Sequence, residues 1–479
     1  MLSHQGEFFT FIAKGSPMLR LIALLFIMVP SWSLETVIQD QWYLGHIDNA
    51  PSISAHQLSL RTATGFQSHF QMTMVMQRSL GQMTASLRID QQRTYQEDQN
   101  GRLTSFAFEE DQNGSRTRVE GRVVGNEVIA NIARNGQVRE QRLELPPGIV
   151  PLGQQGSRRK MASSDLQVGQ AVTFQGLELI SGRIQLATSR AVFHAQRADG
   201  DLQFSVTTDL IPIPAQVVID ADGNLVSMRQ SLGPIHLAIN PHDGPPEIAA
   251  ADFNVIGLFT ATGAAPQPLG RNRYRLAASA LAILPVDLGF QTLTGDILTV
   301  TNIAKPLPLP NPEIYLQREE ALETDDPAIR TWVSEVLSEQ IGESVAAQAE
   351  RLRLAVRSHI TTKDLSVADG TASETFASRT GDCTEHANLL ACALRIAGIP
   401  ARVEVGVVYA PALSGWSGHA WVSAYDGEQG RWLHLDAAYP SISRNMYICT
   451  AIASDSDTSL STQVLSLLGM LDSTIETLP

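Results

Sequence analysis

The hydrophobic period of this chain changes once, and it does so at a stretch of alternating prolines. In Lys305-Pro306-Leu307-Pro308-Leu309-Pro310-Asn311-Pro312 every second residue has a fixed φ and no backbone N–H. Neither a helix nor a central strand runs through such a segment, which is extended and stiff. Before it apolar residues recur at every second position; after it they recur at helical spacing. A chain so divided folds around more than one core, and 479 residues exceed what a single core normally organises.

Residues 34–304 read as a β-rich N-terminal domain. Phe66-Gln67-Ser68-His69-Phe70-Gln71-Met72-Thr73-Met74 alternates cleanly, and Arg116-Thr117-Arg118-Val119-Glu120-Gly121-Arg122-Val123 does so more weakly. Asn113-Gly114 and Ala221-Asp222-Gly223-Asn224 are hairpin signals. The pattern predicts an antiparallel meander, curved or folded into a sandwich. Residues 146–151 and 153–163 lapse into a long loop that divides the region into two subdomains. No cluster of surface groups here carries a chemistry.

Beyond the linker at 305–312, residues 313–479 read as an α+β domain. Asp326-Pro327 is an N-cap followed by proline at the first helical position, and Ile329, Trp332, Val333, Val336 and Leu337 mark one face. A second helix spans 344–360. A third spans 383–397 and stops at Gly398, with Pro400 two residues on. Strands follow at 402–409, 419–425 and 431–437, with a weaker one at 446–452 and a short packed helix at 460–471.

The first 33 residues read as an address. Arg20 precedes Leu21-Ile22-Ala23-Leu24-Leu25-Phe26-Ile27-Met28-Val29, Pro30 breaks the run, and Ser31-Trp32-Ser33 supplies small residues for cleavage, with Met18 as an alternative start. The run is too short for a stable membrane span. The expectation is an exported protein, periplasmic or secreted, with no membrane anchor after cleavage. A net charge of −14 disfavours nucleic-acid and anionic-membrane surfaces. Three cysteines build no disulfide framework. Cys383 and Cys392 lie on opposite sides of one helix, about 13–14 Å apart along it, and cannot bridge. Cys392 and Cys449 are either an oxidised pair or two buried thiols.

Chemistry concentrates at Cys383, at the start of the third helix, where unpaired N–H groups and the peptide dipoles favour negative charge. His419 opens an alternating strand, and Gly418 before it leaves room for a substrate. Asp436 lies on the next strand. A two-residue turn at Gly427-Glu428, or a four-residue loop from Asp426 to Gln429, places His419 directly opposite Asp436, on one face of the hairpin. A thiol, an imidazole and a carboxylate then stand in series as nucleophile, base and orienting group.

These residues carry a resemblance. Gly381-Asp382-Cys383-Thr384-Glu385-His386-Ala387, then Arg395 with Ala397-Gly398-Ile399-Pro400-Ala401-Arg402, then Gly418-His419-Ala420-Trp421-Val422, then Trp432 with Leu435-Asp436 resemble the transglutaminase-like superfamily of papain-type thiol enzymes over roughly residues 313–455. The resemblance implies an α+β core with Cys383, His419 and Asp436 as the catalytic residues. It implies acyl transfer through a thioester on an amide of a protein or peptide substrate, with water or an amine as acceptor and no metal or organic cofactor. It also extends to exported bacterial members. The alternative is an inactive relative serving as a binding module or envelope scaffold.

Other residues near these blocks read more plainly. His386 lacks companions for a metal site and reads as a helix-surface or core histidine. His434 shares a strand face with Asp436 and is the rival imidazole. Glu385 supports the helix N-terminus, while Arg402 and Trp421 are structural neighbours. The backbone N–H of Cys383 is the default oxyanion donor.

Overall fold

A computed structural model describes residues 35–479 except 81–82, 135–136, 164–165, 181–182, 210–212, 255–258, 277–283, 286–287, 339–341, 365–369, 440–441 and 453–473. The leader expected at 1–33 and the helix expected at 460–471 lie outside the described residues. The architecture is α+β, mainly β, with an antiparallel N-terminal region and helices gathered in the C-terminal part.

The N-terminal region is one continuous sheet. Fourteen of its fifteen strands run from β1 (Thr36–Ile47) to β14 (Ile235–His242), and β15 (Ala251–Asn254) pairs parallel with the third of them. Each pairs antiparallel with the next up to β8 (Gln137–Glu144), and again from β9 (Ala171–Ile180) onward. Pairing of β1 with β14 joins the two runs, so β8 and β9 become the free edges. The sheet then curls until β8 meets the start of β10 (Arg183–Gln196), where β11 (Leu202–Thr208) does not reach. The Gln141 amide bonds Ile184 on β10 twice, donating from Nε2 to its carbonyl at 2.7 Å and accepting from its N–H at 2.9 Å. A side chain thus mimics a missing rung of the ladder and seals part of the exposed edge. Arg93 on β4 (Met83–Asp98) crosses to Glu178 on β9 at 2.6 Å. Tyr95, Phe106, Phe108 and Ile132 from one run pack with Leu177 and Ile184 from the other. The alternation seen in the sequence is therefore that of a curled meander with its apolar face inward, and not of a two-sheet sandwich.

The loop expected at 153–163 is largely a helix, α1 (Gln154–Met161). Its sequence shows no apolar stripe, so periodicity gave no sign of it. A tertiary contact stabilises it: the buried Glu97 carboxylate accepts the N–H groups of Gln155 and Gly156 at 3.1 and 3.0 Å, at the helix N-terminus. Gly156 is required there, because an added Cβ would lie 2.2 Å from the Gly101 carbonyl oxygen.

In the C-terminal part, α2 (Pro327–Leu337) begins where expected, with Asp326 accepting from the N–H groups of Ala328 and Ile329. Then come α3 (Val345–His359), α4 (Ala372–Ser378) and α5 (Cys383–Ile396). The following sheet holds β20 (Ala401–Ala410), β21 (Gly415–Asp426), β22 (Arg431–Leu435) and β23 (Tyr447–Ile452) in the order β22-β21-β20-β23. Residues 385–395 of α5 are buried without interruption, which makes it the central helix. A third sheet combines β16 (Thr260–Gly263), β17 (Arg271–Arg275), β18 (Gln291–Thr294) and β19 (Ile297–Thr301) with β24 (Thr474–Leu478). Its Tyr274, Leu298, Val300 and Ile475 share one core with Leu390, Trp416 and Ile448. That core thus includes residues from both sides of the proline stretch. The two parts also meet through ion pairs: Arg134 with Glu374, and Arg139 and Arg183 with Glu320.

Replacing Gln141 by Ala removes two hydrogen bonds at the seam and exposes the Ile184 backbone. The expected loss is about 1–3 kcal/mol of stability, read from the urea unfolding midpoint. An unchanged midpoint would mean that the seam contributes nothing.

Candidate active site

Local sequence places Cys383 with little freedom. Asp382 caps α5 by accepting the Thr384 N–H at 2.9 Å, and Glu385 returns the contact by accepting the Asp382 N–H at 2.8 Å. Glu385 also accepts the Gly370 N–H at 3.0 Å. A Cβ on Gly381 would meet the Glu385 Cβ at 2.3 Å, so the glycine before the cap is what lets Glu385 fold back. Burial, and then the neighbouring Asp382, push the Glu385 carboxyl well above its usual range. Its support of the helix start is as expected. His386 is buried, its Nδ1 2.6 Å from the Asp382 carbonyl oxygen, and burial lowers its pKa.

The structure brings Cys383, His419 and Asp436 together. Asp436 Oδ2 lies 2.8 Å from His419 Nε2, and both residues are almost fully enclosed, while Cys383 is partly exposed. Cys383 lies on the other side of the His419 ring, close enough to act on its charge. With Nε2 committed to Asp436, Nδ1 is the nitrogen left for the thiol. Burial alone would lower the imidazole pKa, but the charges of Asp436 and Cys383 together hold it up to about 10. Burial would likewise raise the Asp436 carboxyl; His419, the Tyr439 N–H and the Tyr447 hydroxyl pull it well below the usual range. The resting His419 ring is an imidazolium, flanked by Asp436 and Cys383.

The route to this contact differs from the simple hairpin count. Strands β21 and β22 pair Val422 with Leu435 and Asp426 with Arg431, leaving residues 427–430 as the turn. Neither expected register occurs, and Asp436 falls just beyond the end of β22. The cause is Asp426, whose buried carboxylate accepts the Glu428 and Gln429 N–H groups and so starts the turn one residue later. The shift amounts to two positions, so the side chains keep their face. Asp436 then forms its own turn, with Oδ1 accepting the N–H groups of Ala438 and Tyr439 at 2.8 Å each.

Several supports escaped the sequence. The Tyr447 hydroxyl donates to Asp436 Oδ2 at 2.7 Å, and the Tyr439 ring lies 4.7 Å from that of His419. Arg353 donates to the Asp436 carbonyl at 3.2 Å. Arg353 does leave a trace, as a cation on the same buried face of α3 as Ala349, Leu352 and Val356; a lone tyrosine in a weak strand leaves none. Behind the imidazole, Glu404 is fully buried. It accepts from Arg402 at 2.8 Å, Trp421 Nε1 at 2.8 Å and Ser423 at 2.7 Å. Burial opposes its ionisation, yet Arg402 and Arg444 hold it at about 2. Arg402 and Trp421 are thus the structural neighbours expected of them. The His434 ring makes no hydrogen bond among the described residues, and burial drives its pKa down to about 3. Cys392 and Cys449 are free thiols in different cores, not a pair; burial pushes Cys392 up to about 12.

The N-terminal sheet reaches this site. Arg78, on β3 (Gly65–Leu80), lies 3.7 Å from the Asp382 carboxylate next to Cys383.

Residues 332–437 match the family model of the transglutaminase-like superfamily. A stretch of 80 residues is 40% identical to the protein-glutamine gamma-glutamyltransferase of Pseudomonas aeruginosa, covering 15% of this chain and only 12% of that relative. Among solved structures, a candidate cysteine protease from Cytophaga hutchinsonii aligns at 15% identity and a TM-score of 0.28, over 40% of this chain and 74% of that one. A β-barrel-like protein of domain of unknown function DUF1849 from Brucella abortus aligns at 12% identity and a TM-score of 0.32, over 43% and 95%.

Two measurements probe this electrostatic arrangement. For a histidine whose folded pKa is raised, the stabilisation is complete below the unfolded value of about 6.5 and is lost as pH climbs. Here the loss runs up through about 10. On the acid side it is lost only below about pH 4, where the carboxylate protonates. The gap in urea midpoint between the wild-type chain and His419→Gln is therefore widest from about pH 4 to 6.5 and narrows towards pH 10. A gap that widens over that range contradicts a folded-state imidazolium. Separately, Arg78→Ala leaves the Asp382 charge less compensated beside Cys383. Iodoacetamide labelling of Cys383 at pH 6 is expected to slow about two- to fivefold.

Proposed function

Residues 332–437 being a transglutaminase-like domain, we propose that this protein is an exported thiol enzyme acting on amide bonds of protein or peptide substrates through a Cys383 thioester. The observation that carries the reading is the series itself. Asp436 lies 2.8 Å from one nitrogen of His419, and Cys383 stands beside the same ring at the head of α5.

The steps follow from the charges. The Cys383 thiolate attacks the amide carbonyl carbon, forming the C–S bond and placing negative charge on oxygen, for which the Cys383 backbone N–H is the default donor. The His419 imidazolium gives its proton to the departing nitrogen as the C–N bond breaks, leaving a thioester and a neutral imidazole. That imidazole then takes a proton from water or an incoming amine. The new nucleophile attacks the thioester, the C–S bond breaks and the thiolate–imidazolium pair is restored. Throughout, Asp436 keeps the ring oriented and favours its charged form. Tyr447 and the turn at residues 436–439 hold Asp436 in place. No step calls for a cofactor. Water as acceptor makes the enzyme a protease or amidase, and hydrolysis is favoured in a dilute exported setting; an amine makes it a crosslinker.

The test is intact-mass analysis of the full chain after acid quench in the presence of a glutamine- and asparagine-containing peptide pool. An acyl adduct on Cys383, absent from Cys383→Ala and discharged by water or hydroxylamine, is the expected result. Asp436→Asn should reduce its rate of formation by about 10²–10⁴-fold. No adduct, together with iodoacetamide labelling of Cys383 no faster than a free thiol at pH 6, would instead identify an idle scaffold.

A further inference from the structure

The curl of the N-terminal sheet is not filled by its own side chains. A cavity of about 820 Å³ lies between β3 and β4 on one side, helix α1 at one end, and strands β9 to β11 on the other side. Met74, Met161, Phe174 and Leu179 line it. Each packs at the margin of an apolar cluster and yet stays half-buried, because its remaining surface faces the cavity. Protein interiors close such gaps to near-crystalline density, and voids larger than a water molecule are few. A space of this size falls in the range of small-molecule sites, and the interior of a curled sheet is a usual place for one.

The charges on the wall are already matched within the protein. Arg93 Nη1 donates to Glu178 at 2.6 Å, and Gln91 Nε2 donates to Glu110 at 2.6 Å. Arg158 donates to Gln39 at 2.8 Å and to the Asp222 carbonyl at 3.0 Å, with the carboxylates of Asp220 and Asp222 near enough to balance its charge. An ion entering this space would lose its water and find no free counter-charge, which is costly. The neutral polar groups on the wall are hydroxyls: Ser189 and Thr208 stand directly opposite each other on β10 and β11. They can meet a hydroxyl or ester oxygen without any transfer of charge.

Gly176 gives an independent sign. It sits in the middle of β9, lines the cavity, and has no positive φ that would call for glycine. A Cβ built on it would meet only the Leu152 carbonyl oxygen, at 3.9 Å, so no neighbouring group crowds it either. A glycine inside a strand weakens the strand, and where neither conformation nor packing explains it, it marks a place where a ligand comes close to the backbone. The volume sets the size of that ligand. At about 30 Å³ for each non-hydrogen atom the cavity holds at most about 27 of them, enough for one acyl chain of about 12–16 carbons with a small head.

We propose that the cavity enclosed by the curled sheet and α1 binds a neutral single-chain lipid, its acyl chain against Met74, Phe174 and Leu179 and its uncharged head at Ser189 and Thr208. The site is separate from Cys383 and does not depend on the reaction assigned there. The full chain is titrated with monolaurin and, in parallel, with laurate, both below their micelle concentrations, following the melting temperature and the heat of binding. Saturable binding of monolaurin is expected, with laurate at least fivefold weaker because its carboxylate finds no free cation. Gly176→Phe and Ser189→Phe place a ring in the open space and should each weaken monolaurin binding at least tenfold. Without ligand both should melt with the wild-type chain, and two variants keep the test intact should one fail to fold. No saturable binding of monolaurin overturns the proposal. Laurate binding as well as monolaurin overturns the neutral head, and binding undiminished in both variants places the lipid elsewhere and overturns the site.

Discussion

A buried carboxylate is tolerated only when its charge is matched and its lone pairs are occupied, and Asp436 meets that demand from several directions at once. His419 comes from β21, Tyr447 from β23, and two N–H groups from the turn that follows Asp436 itself. Arg353 of α3 ties down its carbonyl. Each donor belongs to a different piece of the chain, so the pieces can take their native positions only together. The imidazole acquires its orientation and its charge as by-products of satisfying that carboxylate. The thiol completes the series because a capping box fixes where α5 begins.

Much of this was legible from residue order. The helix starts at Asp326 and Cys383 were readable because caps, proline at the first helical position and apolar spacing are local signals. The face shared by His419 and Asp436 was readable because strand parity survives an even slip. The register was not, since it turns on whether the Asp426 side chain prefers the backbone of its own turn, and a count of loop residues is blind to that. Helix α1 was invisible for a related reason: its first turn is satisfied by Glu97, more than fifty residues away in sequence, and not by its own residues. The Glu404 hub likewise joins side chains from β20 and β21 whose grouping appears only after the strands pair.

The N-terminal sheet and the thiol domain meet through arginines on one side and carboxylates on the other. Arg134, Arg139 and Arg183 contribute from the sheet, and Glu320 and Glu374 receive them. Glu374 also closes the capping box of α4. Contacts of this kind, half-buried and charged, set orientation more than they add stability. Arg78 extends the pattern to Asp382, the cap of the helix that begins at Cys383. The first half of the chain is therefore electrostatically in touch with the helix that carries Cys383.

Strand β24 adds a matter of timing. Tyr274 pairs with Thr477, about 200 residues later, and the same Tyr274 hydroxyl bonds the Asn445 carbonyl beside the Asp436 support. Loop-closure entropy makes so distant a pairing a late event in folding. A ribosome would have to produce residues 474–478 before the sheet that backs Trp416 and Asn445 could close. The segments that carry Cys383, His419 and Asp436 are therefore all synthesised before the strand that completes the sheet behind them.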